Sequence, residues 1–380
     1  MNANTDAVLN NLTEIANQFE IASKIIKVKE FGHGNINGTF LVSLDSVEEK
    51  YFILQRINQN VFHQPKLVMQ NISAFTNHVR QRLQDSPLSS NRRWEVPKVL
   101  LTKNNQDHFI DAENSFWRAI SFIDNAETFD TIKDNQHASE VGYALGMFHN
   151  LISDLPVDKL ADTLPGFHVT PSYLKQYENV ETQFKVSSKS PEVEYCLEFI
   201  NSRKNWAEVL ENAQKQERLR LRPIHGDPKV NNVMIDTLSG QAISIIDLDT
   251  VKPGLVHYDI GDCLRSGCNP LGEETEHWER VRFDTDICQS LLGSYLSVAK
   301  DFLTENDYVY MYDAIRLIAF ELGLRFFTDY LAGNVYFKIK YPEHNLARAL
   351  VQFKLTESIE IQENTIREII SSFVSESHIS

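Results

Sequence analysis

Hydrophobic residues in the first third of the chain gather in short runs that turn residues separate, which is the pattern typical of β-strands. Five runs have this character, and they lie at 25–31, 39–44, 51–57, 95–101 and 115–123. The turn between the first two runs is rich in Gly and Asn. The pattern predicts a small, mostly antiparallel sheet that ends near residue 124.

Helical spacing governs most of the remaining chain. From Ala138 onward, apolar side chains recur at three- and four-residue steps. Those that share the first helical face are Val141, Ala144, Leu145, Phe148, Leu151 and Ile152. Further helices are predicted over 6–20, 65–84, 173–181, 193–221, 283–303, 307–332 and 343–374. Together the patterns predict an α+β fold of two lobes, with a mostly antiparallel β-rich N-lobe at 1–124 and a larger helical C-lobe at 125–380.

The composition is that of an acidic globular protein. The 380 residues are 42% hydrophobic, enough for one large or two ordinary cores, and carry a formal net charge of −15. This negative charge disfavours a nucleic-acid partner or an anionic membrane surface. The first residues lack the regions of a signal peptide, and no run approaches the roughly 20 apolar residues of a membrane span. We therefore expect a cytoplasmic protein whose scattered cysteines are buried thiols.

One polar stretch carries the candidate chemistry. Residues 225–232 read His-Gly-Asp-Pro-Lys-Val-Asn-Asn, and a later apolar, strand-like run leads into Asp247. Phosphoryl transfer from a nucleotide needs a carboxylate that receives the acceptor's proton, and an amide and a carboxylate that hold Mg²⁺. Asp227, Asn232 and Asp247 match this set, and Lys229 is placed to neutralise charge on the transferred group. The structural alternative is a loop with an Asx turn before an ordinary buried strand.

The turn between the first two strands is a candidate phosphate-binding loop. Glycines in a strand–turn–strand unit let backbone N–H groups approach nucleotide phosphates. The candidate contacts in the turn are Gly32, His33, Gly34, Asn35 and Asn37. A Gly- and Asn-rich hairpin turn without a ligand is the alternative.

The third strand departs from the usual kinase pattern. Kinases place a lysine there, whereas this chain has Gln55 and Arg56, and the helix predicted at 65–84 contains no glutamate to pair with a lysine. Arg56 is a candidate phosphate ligand, because a guanidinium can fork onto phosphate oxygens, and a surface strand position is the equal alternative. The segment 121–124, which follows the last predicted strand, is the predicted hinge that would hold the adenine. Its residues Phe122 and Ile123 are candidate adenine contacts and also candidate core residues.

The pattern His-x-Asp-x-x-x-x-Asn followed by Ile-Asp resembles the catalytic and metal-binding segments of the aminoglycoside phosphotransferase and choline kinase group, whose fold is kinase-like. A closer resemblance, to N-acetylhexosamine 1-kinases, covers most of residues 30–340. It is carried by the catalytic loop and by Tyr-Phe-Ile-Leu-Gln-Arg-Ile at 51–57, Ile-Asp-Leu-Asp-Thr at 246–250, and the segment 321–337. The Gln-Arg pair of the third strand is shared with that family.

This resemblance implies a kinase that uses ATP and Mg²⁺ to phosphorylate the anomeric hydroxyl of N-acetylglucosamine or N-acetylgalactosamine. A neutral sugar needs hydrogen-bonding groups and aromatic faces rather than a dense carboxylate cluster. Asp249, Arg325 and Tyr336 are the candidate substrate contacts. The segment 321–337 also offers Asp329, Tyr330, Asn334 and Phe337. A helix ion pair between Glu321 and Arg325, with the aromatic residues in the core, is the structural alternative.

Two other functions stay open. One is a kinase of the same fold that acts on choline, homoserine or an aminoglycoside. The other is a nucleotide-binding pseudokinase, which the missing Lys–Glu pair supports and the intact catalytic loop opposes. In the resembling families, acidic residues at the positions of Asp259 and Asp262 brace the catalytic loop. The cations at 215–222 are interpreted as a solvated helix end.

Overall fold

The computed structural model describes residues 11–32, 36–88, 92–184 and 190–377, with side chains described as far as residue 373. The chain divides into two compact units. The first comprises the described residues up to Ala126 together with Asp158–Leu164, and the second comprises Glu127–Val157 and the described residues from Pro165 onward. The short segment Asp158–Leu164 thus groups with the first unit, although the sequence analysis placed it in the C-lobe.

The first unit is built on an antiparallel sheet. Its strands are β1 (Ile25–Glu30), β2 (Gly38–Leu44), β3 (Tyr51–Ile57), β4 (Val99–Leu100), β5 (Phe109–Ile110) and β6 (Phe116–Ser121). The order in the sheet is β1-β2-β3-β6-β4, and β5 pairs with β6. The predicted strand at 95–101 shrinks to β4 because Pro97, within that run, cannot donate a ladder hydrogen bond. The two-residue strand β5 was not predicted, since so short a run carries no periodic signal.

One face of this sheet packs against the helix at residues 11–16 (α1), and the rest of the predicted N-terminal helix up to residue 10 lies outside the described residues. Ile15 and Ala16 of α1 share a buried core with Phe52 and Leu54 of β3. Side chains alternate between the two faces along a strand. Gln55 therefore projects from the face opposite this core.

Helix α2 (Pro65–Asp85) begins with a proline in its first turn, where a missing N–H costs nothing. Its buried Asn71 pairs with the backbone of Ala161 in both directions, accepting from the Ala161 N–H and donating to the Ala161 carbonyl, each at 2.8 Å. This double hydrogen bond attaches the segment Asp158–Leu164 to the first unit. It satisfies two backbone groups that burial would otherwise leave without partners.

The second unit is mainly helical. Its helices are α3 (Asn135–Ile152), α4 (Thr170–Gln183), α5 (Pro191–Arg203), α6 (Val209–Lys215), α7 (Val256–Gly267), α8 (Thr285–Ala299), α9 (Glu305–Val309), α10 (Met311–Leu331), α11 (His344–Ile361) and α12 (Glu363–Ser377). Short strands accompany them: β8 (Arg222–Ile224), β9 (Val233–Asp236), β10 (Ala242–Ile245) and β11 (Lys252–Gly254), with β7 (Ala126–Glu127) at the boundary of the two units. The β9–β10 hairpin and the β8–β11 pair are antiparallel.

The core of this unit surrounds α10, which is buried along most of its length. Helix α3 approaches α8 closely at Gly142, where an added Cβ would lie 1.9 Å from the Leu291 carbonyl oxygen. The six apolar residues that the sequence placed on one face of α3 are all buried, as predicted. None of the described helices combines the length and apolar character that crossing a bilayer requires.

Three helix predictions were wrong in extent, and the one at 307–332 breaks at Tyr310 between α9 and α10. The predicted helix at 193–221 breaks into α5 and α6, and the one at 343–374 breaks at Gln362 between α11 and α12. Arg222 is not part of a solvated helix end. It belongs to strand β8, is buried, and donates from Nη2 to Asp307 Oδ2 at 2.8 Å. Pairing of β8 with β11 draws this residue inside, and the carboxylate of Asp307 compensates its charge.

Candidate active site

The catalytic loop, residues 225–232, follows β8 and leads into the β9–β10 hairpin. The N–H of Ile246 donates to the Asn232 carbonyl at 2.9 Å, and His225 Nε2 lies 3.0 Å from the Ile246 carbonyl oxygen. These bonds tie the loop to the end of the hairpin. Asp247, the next residue, is thereby brought beside Asn232, as the proposed metal site requires.

Gly226 fits this loop for two reasons. Its φ of +84° lies in the left-handed region that favours glycine, and an added Cβ would stand 2.7 Å from the Thr250 carbonyl oxygen. The Thr250 hydroxyl also donates to the His225 carbonyl at 2.7 Å. The loop therefore packs directly on the turn at Leu248–Thr250.

Side-chain donors surround the carboxylate of Asp227. Lys229 Nζ lies 2.7 Å from Asp227 Oδ2, and Asn232 Nδ2 donates to the Asp227 carbonyl at 2.7 Å and to Oδ2 at 3.3 Å. An Asx turn would instead have this carboxylate accept a nearby backbone N–H, and the bonds of the described residues show no such contact. The arrangement disfavours the structural alternative, in which the loop is only an Asx turn before a buried strand. It holds a partly exposed carboxylate next to a fixed cation.

The charge on Lys229 is secured by its surroundings. Burial opposes the ammonium form, but Asp227, Asp247 and Asp262 hold the pKa of Lys229 well above its usual value. Lys229 is thus a cation at neutral pH. Such a fixed positive charge is suited to a phosphoryl group that gains negative charge during transfer.

Asp247 has an unusual backbone. Its φ of +65° is left-handed, a conformation that a residue with a side chain adopts at a cost of about 1–3 kcal/mol and that clusters at functional sites. It directly precedes the turn at Leu248–Thr250 and follows β10 by two residues. The strain is consistent with a carboxylate that must point in one direction.

The residues present fit a magnesium ion. Since Asn232 Nδ2 is turned towards Asp227, its Oδ1 is the atom that remains to serve a cation. Mg²⁺ is usually held by one or two protein oxygens together with phosphates and water, and Asn232 with Asp247 supplies such a pair. Among the described residues no group of three His, Cys, Asp or Glu forms a metal cluster, so a zinc-type site is absent from that part of the chain.

Asp259 anchors the catalytic loop, in agreement with its predicted bracing role. This fully buried side chain in the first turn of α7 accepts the N–H of His225 at 2.7 Å and the N–H of Gly226 at 2.8 Å. His149 Nε2 lies 2.8 Å from the same carboxylate. Three donors satisfy the buried charge, and the backbone just before Asp227 cannot shift without breaking them.

Arg325, on α10, is surrounded by aromatic rings. Its guanidinium carbon lies 4.9 Å from the ring centroid of Tyr173, 5.2 Å from that of Phe167 and 5.5 Å from that of Phe337. Burial disfavours its charged form, but the surrounding groups raise the pKa of Arg325 above its usual value. Those groups are Tyr173, Glu321, Tyr336 and Asp227. Arg325, the candidate acceptor-binding residue, therefore interacts electrostatically with Asp227, the candidate base.

The predicted ion pair between Glu321 and Arg325 does not form. Glu321 instead receives His168 Nδ1 at 2.9 Å and the Thr170 hydroxyl at 2.7 Å. No other carboxylate of the described residues lies within ion-pair distance of the Arg325 guanidinium. The ion pair with Glu321 is therefore wrong as the structural alternative, and contact of Arg325 with a substrate stays a prediction.

The segment after α10 is a loop over residues 334–342, here called the acceptor-side loop. Asp329, one of the offered sugar contacts, accepts the N–H groups of Val335, Tyr336 and Phe337 at 2.8–2.9 Å and is engaged in holding this loop. Phe337 is only half-buried, although its ring lies 4.6 Å from that of Phe326, so it packs at the edge of the core. Core packing is wrong for Tyr336, which is 53% exposed.

Asp249 lies on the turn at Leu248–Thr250 and is 2% exposed. Its contact with a substrate stays a prediction, and its burial favours a structural role. A carboxylate held inside the protein cannot reach a ligand unless the turn opens.

The candidate nucleotide contacts lie in the first unit. Gly32 has a φ of +76° with open space around it, and Asn37 Oδ1 accepts the Asn58 N–H at 2.9 Å. His33, Gly34 and Asn35 lie outside the described residues. Their role in phosphate binding stays a prediction.

The hinge candidates differ in burial. Phe122 is half-buried, with its ring centroid 5.5 Å from that of Tyr51 and 6.0 Å from that of Phe31. Ile123 is 4% exposed and therefore packs in the core. The two interpretations of these residues, adenine contact and core, remain compatible.

Arg56 and Gln55 project from opposite faces of the sheet. The Arg56 guanidinium lies 5.9 Å from the ring of Trp117, which belongs to the core under α1, so its position favours the surface-strand interpretation. On the other face, the buried Arg118 donates to Gln55 Oε1 from Nε and Nη2, at 2.9 and 2.7 Å, and Gln55 Nε2 donates to the Thr39 hydroxyl. Sequence reasoning missed Arg118, although a charged residue inside an apolar strand was a visible signal.

This chain combines a kinase-like α+β fold with a loop in which a carboxylate, a lysine and an amide contact one another. These are features of the phosphotransferase class. The chain belongs to the phosphotransferase enzyme family, which residues 27–284 match. Structures of similar fold include a microcompartment-associated aminopropanol kinase, with a TM-score of 0.62, 14% identity, and coverage of 94% of this chain and 98% of that one.

Two further structures agree on the fold. An aminoglycoside phosphotransferase from Alicyclobacillus acidocaldarius subsp. acidocaldarius DSM 446 has a TM-score of 0.59 and 12% identity, over 97% of this chain and 96% of that one. An ethanolamine kinase from Plasmodium vivax has a TM-score of 0.53 and 15% identity, over 92% and 85% of the two chains. At such identities the likeness establishes the kinase-like fold and leaves the acceptor to be inferred from this chain's own residues.

Proposed function

We propose that this phosphotransferase is an N-acetylhexosamine 1-kinase, which transfers the terminal phosphoryl group of ATP to the anomeric hydroxyl of N-acetylglucosamine or N-acetylgalactosamine. The observation that carries the proposal is the charge of the acceptor side. The Arg325 guanidinium packs among the rings of Phe167, Tyr173 and Phe337, and its charge interacts with that of Asp227. The positive charge of Arg325 and the exposed aromatic side chain of Tyr336 suit a neutral, oxygen-rich acceptor.

A fixed cation discriminates between the acceptor classes of this fold. Choline, ethanolamine and aminoglycosides carry positive charge at neutral pH, so they are repelled where a guanidinium stands next to the site. A sugar with an N-acetyl group offers hydroxyl and carbonyl oxygens instead, which accept hydrogen bonds from a guanidinium. An exposed tyrosine ring can also cover the apolar face of a pyranose.

The reaction follows from the catalytic loop. Asp227 accepts a hydrogen bond from the anomeric hydroxyl and then takes its proton as the oxygen attacks phosphorus. Lys229, whose Nζ lies 2.7 Å from Asp227 Oδ2, balances negative charge on the transferred group. Asn232 and Asp247 would hold Mg²⁺, which supplies charge neutralisation on the nucleotide phosphates when it is bound.

The test compares acceptors by ADP release with ATP and Mg²⁺. The panel contains N-acetylglucosamine, N-acetylgalactosamine, glucosamine, ethanolamine, choline, homoserine and one aminoglycoside. We expect the two N-acetylated sugars to exceed every cationic acceptor in kcat/KM by at least about 10²-fold, the ratio that about 2.7 kcal/mol of discrimination gives. Glucosamine is the matched control, since it differs from N-acetylglucosamine by loss of the acetyl group and gain of a charge. Preferential turnover of a cationic acceptor would refute the assignment.

A further inference from the structure

His168 contacts both the catalytic loop and helix α10. It is 4% exposed and lies two residues before the start of α4 at Thr170. Its Nε2 stands 2.7 Å from the Gly226 carbonyl oxygen, and its Nδ1 stands 2.9 Å from Glu321 Oε1. Neither the sequence motif nor the reaction described above uses this residue.

The partners of His168 determine its protons. A backbone carbonyl can only accept, so Nε2 must carry a proton towards Gly226. Glu321 is 1% exposed and already accepts the Thr170 hydroxyl on Oε2, and its Oε1 accepts from Nδ1. Burial alone lowers the pKa of His168, but Glu321 outweighs burial and raises that pKa above its usual value. The ring therefore donates from Nε2 to the Gly226 carbonyl, and its raised pKa favours the doubly protonated form that also donates from Nδ1 to Glu321.

The position of the Gly226 carbonyl makes this bond relevant to the chemistry. That carbonyl belongs to the peptide unit that joins Gly226 to Asp227. The N–H of Gly226 is held separately by Asp259 at 2.8 Å. With the two bonds made, neither the peptide before Gly226 nor the peptide after it can rotate freely, so the direction in which the Asp227 side chain leaves the backbone is determined.

The same pair reaches the acceptor side. Glu321 precedes Arg325 by one turn of α10, and Phe167, the neighbour of His168, has its ring 5.2 Å from the Arg325 guanidinium carbon. The ring of Tyr258 stacks on His168 at 5.5 Å from the other side. The buried His168–Glu321 pair thus lies between Arg325, which is proposed to meet the acceptor, and Asp227, which is proposed to take its proton.

We propose that the His168–Glu321 pair is the positioning pair of this enzyme: through the Gly226 carbonyl it orients Asp227 relative to the acceptor that Arg325 binds. The proposal rests on the proposed phosphotransfer role of Asp227, and it does not depend on which acceptor is used. His168 touches neither substrate nor nucleotide in this account. It acts through the backbone of the catalytic loop.

The kinetic test compares His168→Ala with His168→Gln. A glutamine side chain can still donate an N–H towards the Gly226 carbonyl, whereas alanine cannot. We expect His168→Ala to lower kcat by about 10²-fold, the effect of a misplacement of about 1 Å, with the KM for ATP changed less than twofold. The kcat of His168→Gln should be at least about tenfold higher than that of His168→Ala. ADP release with water as acceptor is measured in parallel, so the result does not require the correct sugar.

The control is His257→Gln in the same unit. His257 is 1% exposed and its Nε2 lies 2.9 Å from the Asp307 carbonyl oxygen, away from the catalytic loop. This variant should lower the melting temperature to a similar degree while kcat stays within twofold. Equal kcat losses in the three variants, or no better activity in His168→Gln than in His168→Ala, would overturn the proposal and reduce His168 to a packing residue.

A second readout is independent of turnover. With ¹⁵N-labelled histidine, the NMR signals of His168 should show both ring nitrogens protonated at pH 7.5, and Glu321→Gln should convert the ring to a single-proton form. A His168 ring in the wild-type protein whose Nε2 carries no proton at that pH would contradict the positioning pair even if the sugar assignment is correct. Conversely, failure of the sugar panel alone leaves this result unchanged, so the two proposals can fail separately.

Discussion

Two loops of the second unit are held by the same arrangement of hydrogen bonds but have different roles. The catalytic loop at 225–232 and the acceptor-side loop at 334–342 each donate backbone N–H groups to one buried aspartate. Asp259 accepts two of them and Asp329 accepts three. A carboxylate that collects backbone N–H groups fixes a loop without regular secondary structure.

The loops differ in what surrounds the aspartate. Asp259 also contacts His149, and the loop it holds carries the charged pair Asp227–Lys229. Asp329 is completed by a neutral amide, since Asn345 Nδ2 donates to it at 2.9 Å, and the loop it holds exposes side chains such as Tyr336. We infer that the first loop is constrained for chemistry, whereas the second has a fixed backbone whose side chains are free to set acceptor choice.

The largest predicted effect tests the chemistry of the first loop. Asp227→Asn removes the group that takes the proton, and kcat should fall by about 10³-fold or more, while the KM for ATP changes little. The variant should fold normally, because the Asp227 side chain is 27% exposed and not part of the core. Near-normal turnover of purified Asp227→Asn would show that another group is the base.

Asp259→Asn tests the anchor of the same loop. The amide keeps one acceptor oxygen but replaces the other with a donor that faces the Gly226 N–H or the His225 N–H. We expect a loss of about 2–4 kcal/mol in the free energy of unfolding, measured by urea titration, because a buried charged acceptor with three donors is disrupted. The kcat of the folded fraction should fall as well, since the backbone before Asp227 moves.

Asp329→Asn is the matching change in the second loop. Here we expect about 1–3 kcal/mol of destabilisation and an approximately tenfold higher KM for the acceptor, with kcat and the KM for ATP within threefold. The contrast with Asp259→Asn is the informative result. If both variants lost kcat and kept the acceptor KM, the division of labour between the two loops would be wrong.

The smallest effect concerns a surface support of the acceptor-side loop. Glu274 accepts Lys340 Nζ at 2.9 Å and Arg348 Nε at 2.7 Å. Burial opposes its charge, but the donors from Lys340 and Arg348, with His344, lower the pKa of Glu274 to about 2. A depressed pKa stabilises the fold above the ordinary pKa of the carboxyl group, and this contribution disappears as the pH falls towards 2.

The measurement is the melting temperature of the wild-type protein and of Glu274→Gln across pH. The wild type should melt higher at pH 6–7, and the difference should shrink steadily between about pH 4.5 and pH 2.5. A difference that is constant with pH would mean that packing, and not the charge of Glu274, supports the loop.

Much of the first loop could be predicted from the sequence because its function requires fixed residue types at fixed spacing. Asp227, Lys229 and Asn232 lie five residues apart or less, so local geometry brings them together in any fold. Helical and strand periods likewise located α3, α10 and the main sheet, since burial imposes those periods on the residues.

The rest depended on contacts between distant segments. Nothing local to Asp329 shows that it holds residues 335–337, and nothing local to His168 shows that Gly226 and Glu321 are its partners. Arg56 was the candidate phosphate ligand and Arg118 was missed, because sequence position alone does not reveal which face of a sheet meets a core. Each of these assignments needs the tertiary fold.

The most direct test of the account is ³¹P NMR of the purified protein with ATP, Mg²⁺ and N-acetylglucosamine or N-acetylgalactosamine, with a correlation from phosphorus to the sugar protons. We expect a new phosphomonoester whose phosphorus couples to the anomeric proton, and we expect no such product with Asp227→Asn. A phosphoryl group on a primary hydroxyl or on an amino alcohol, with these sugars left unmodified, would contradict this expectation.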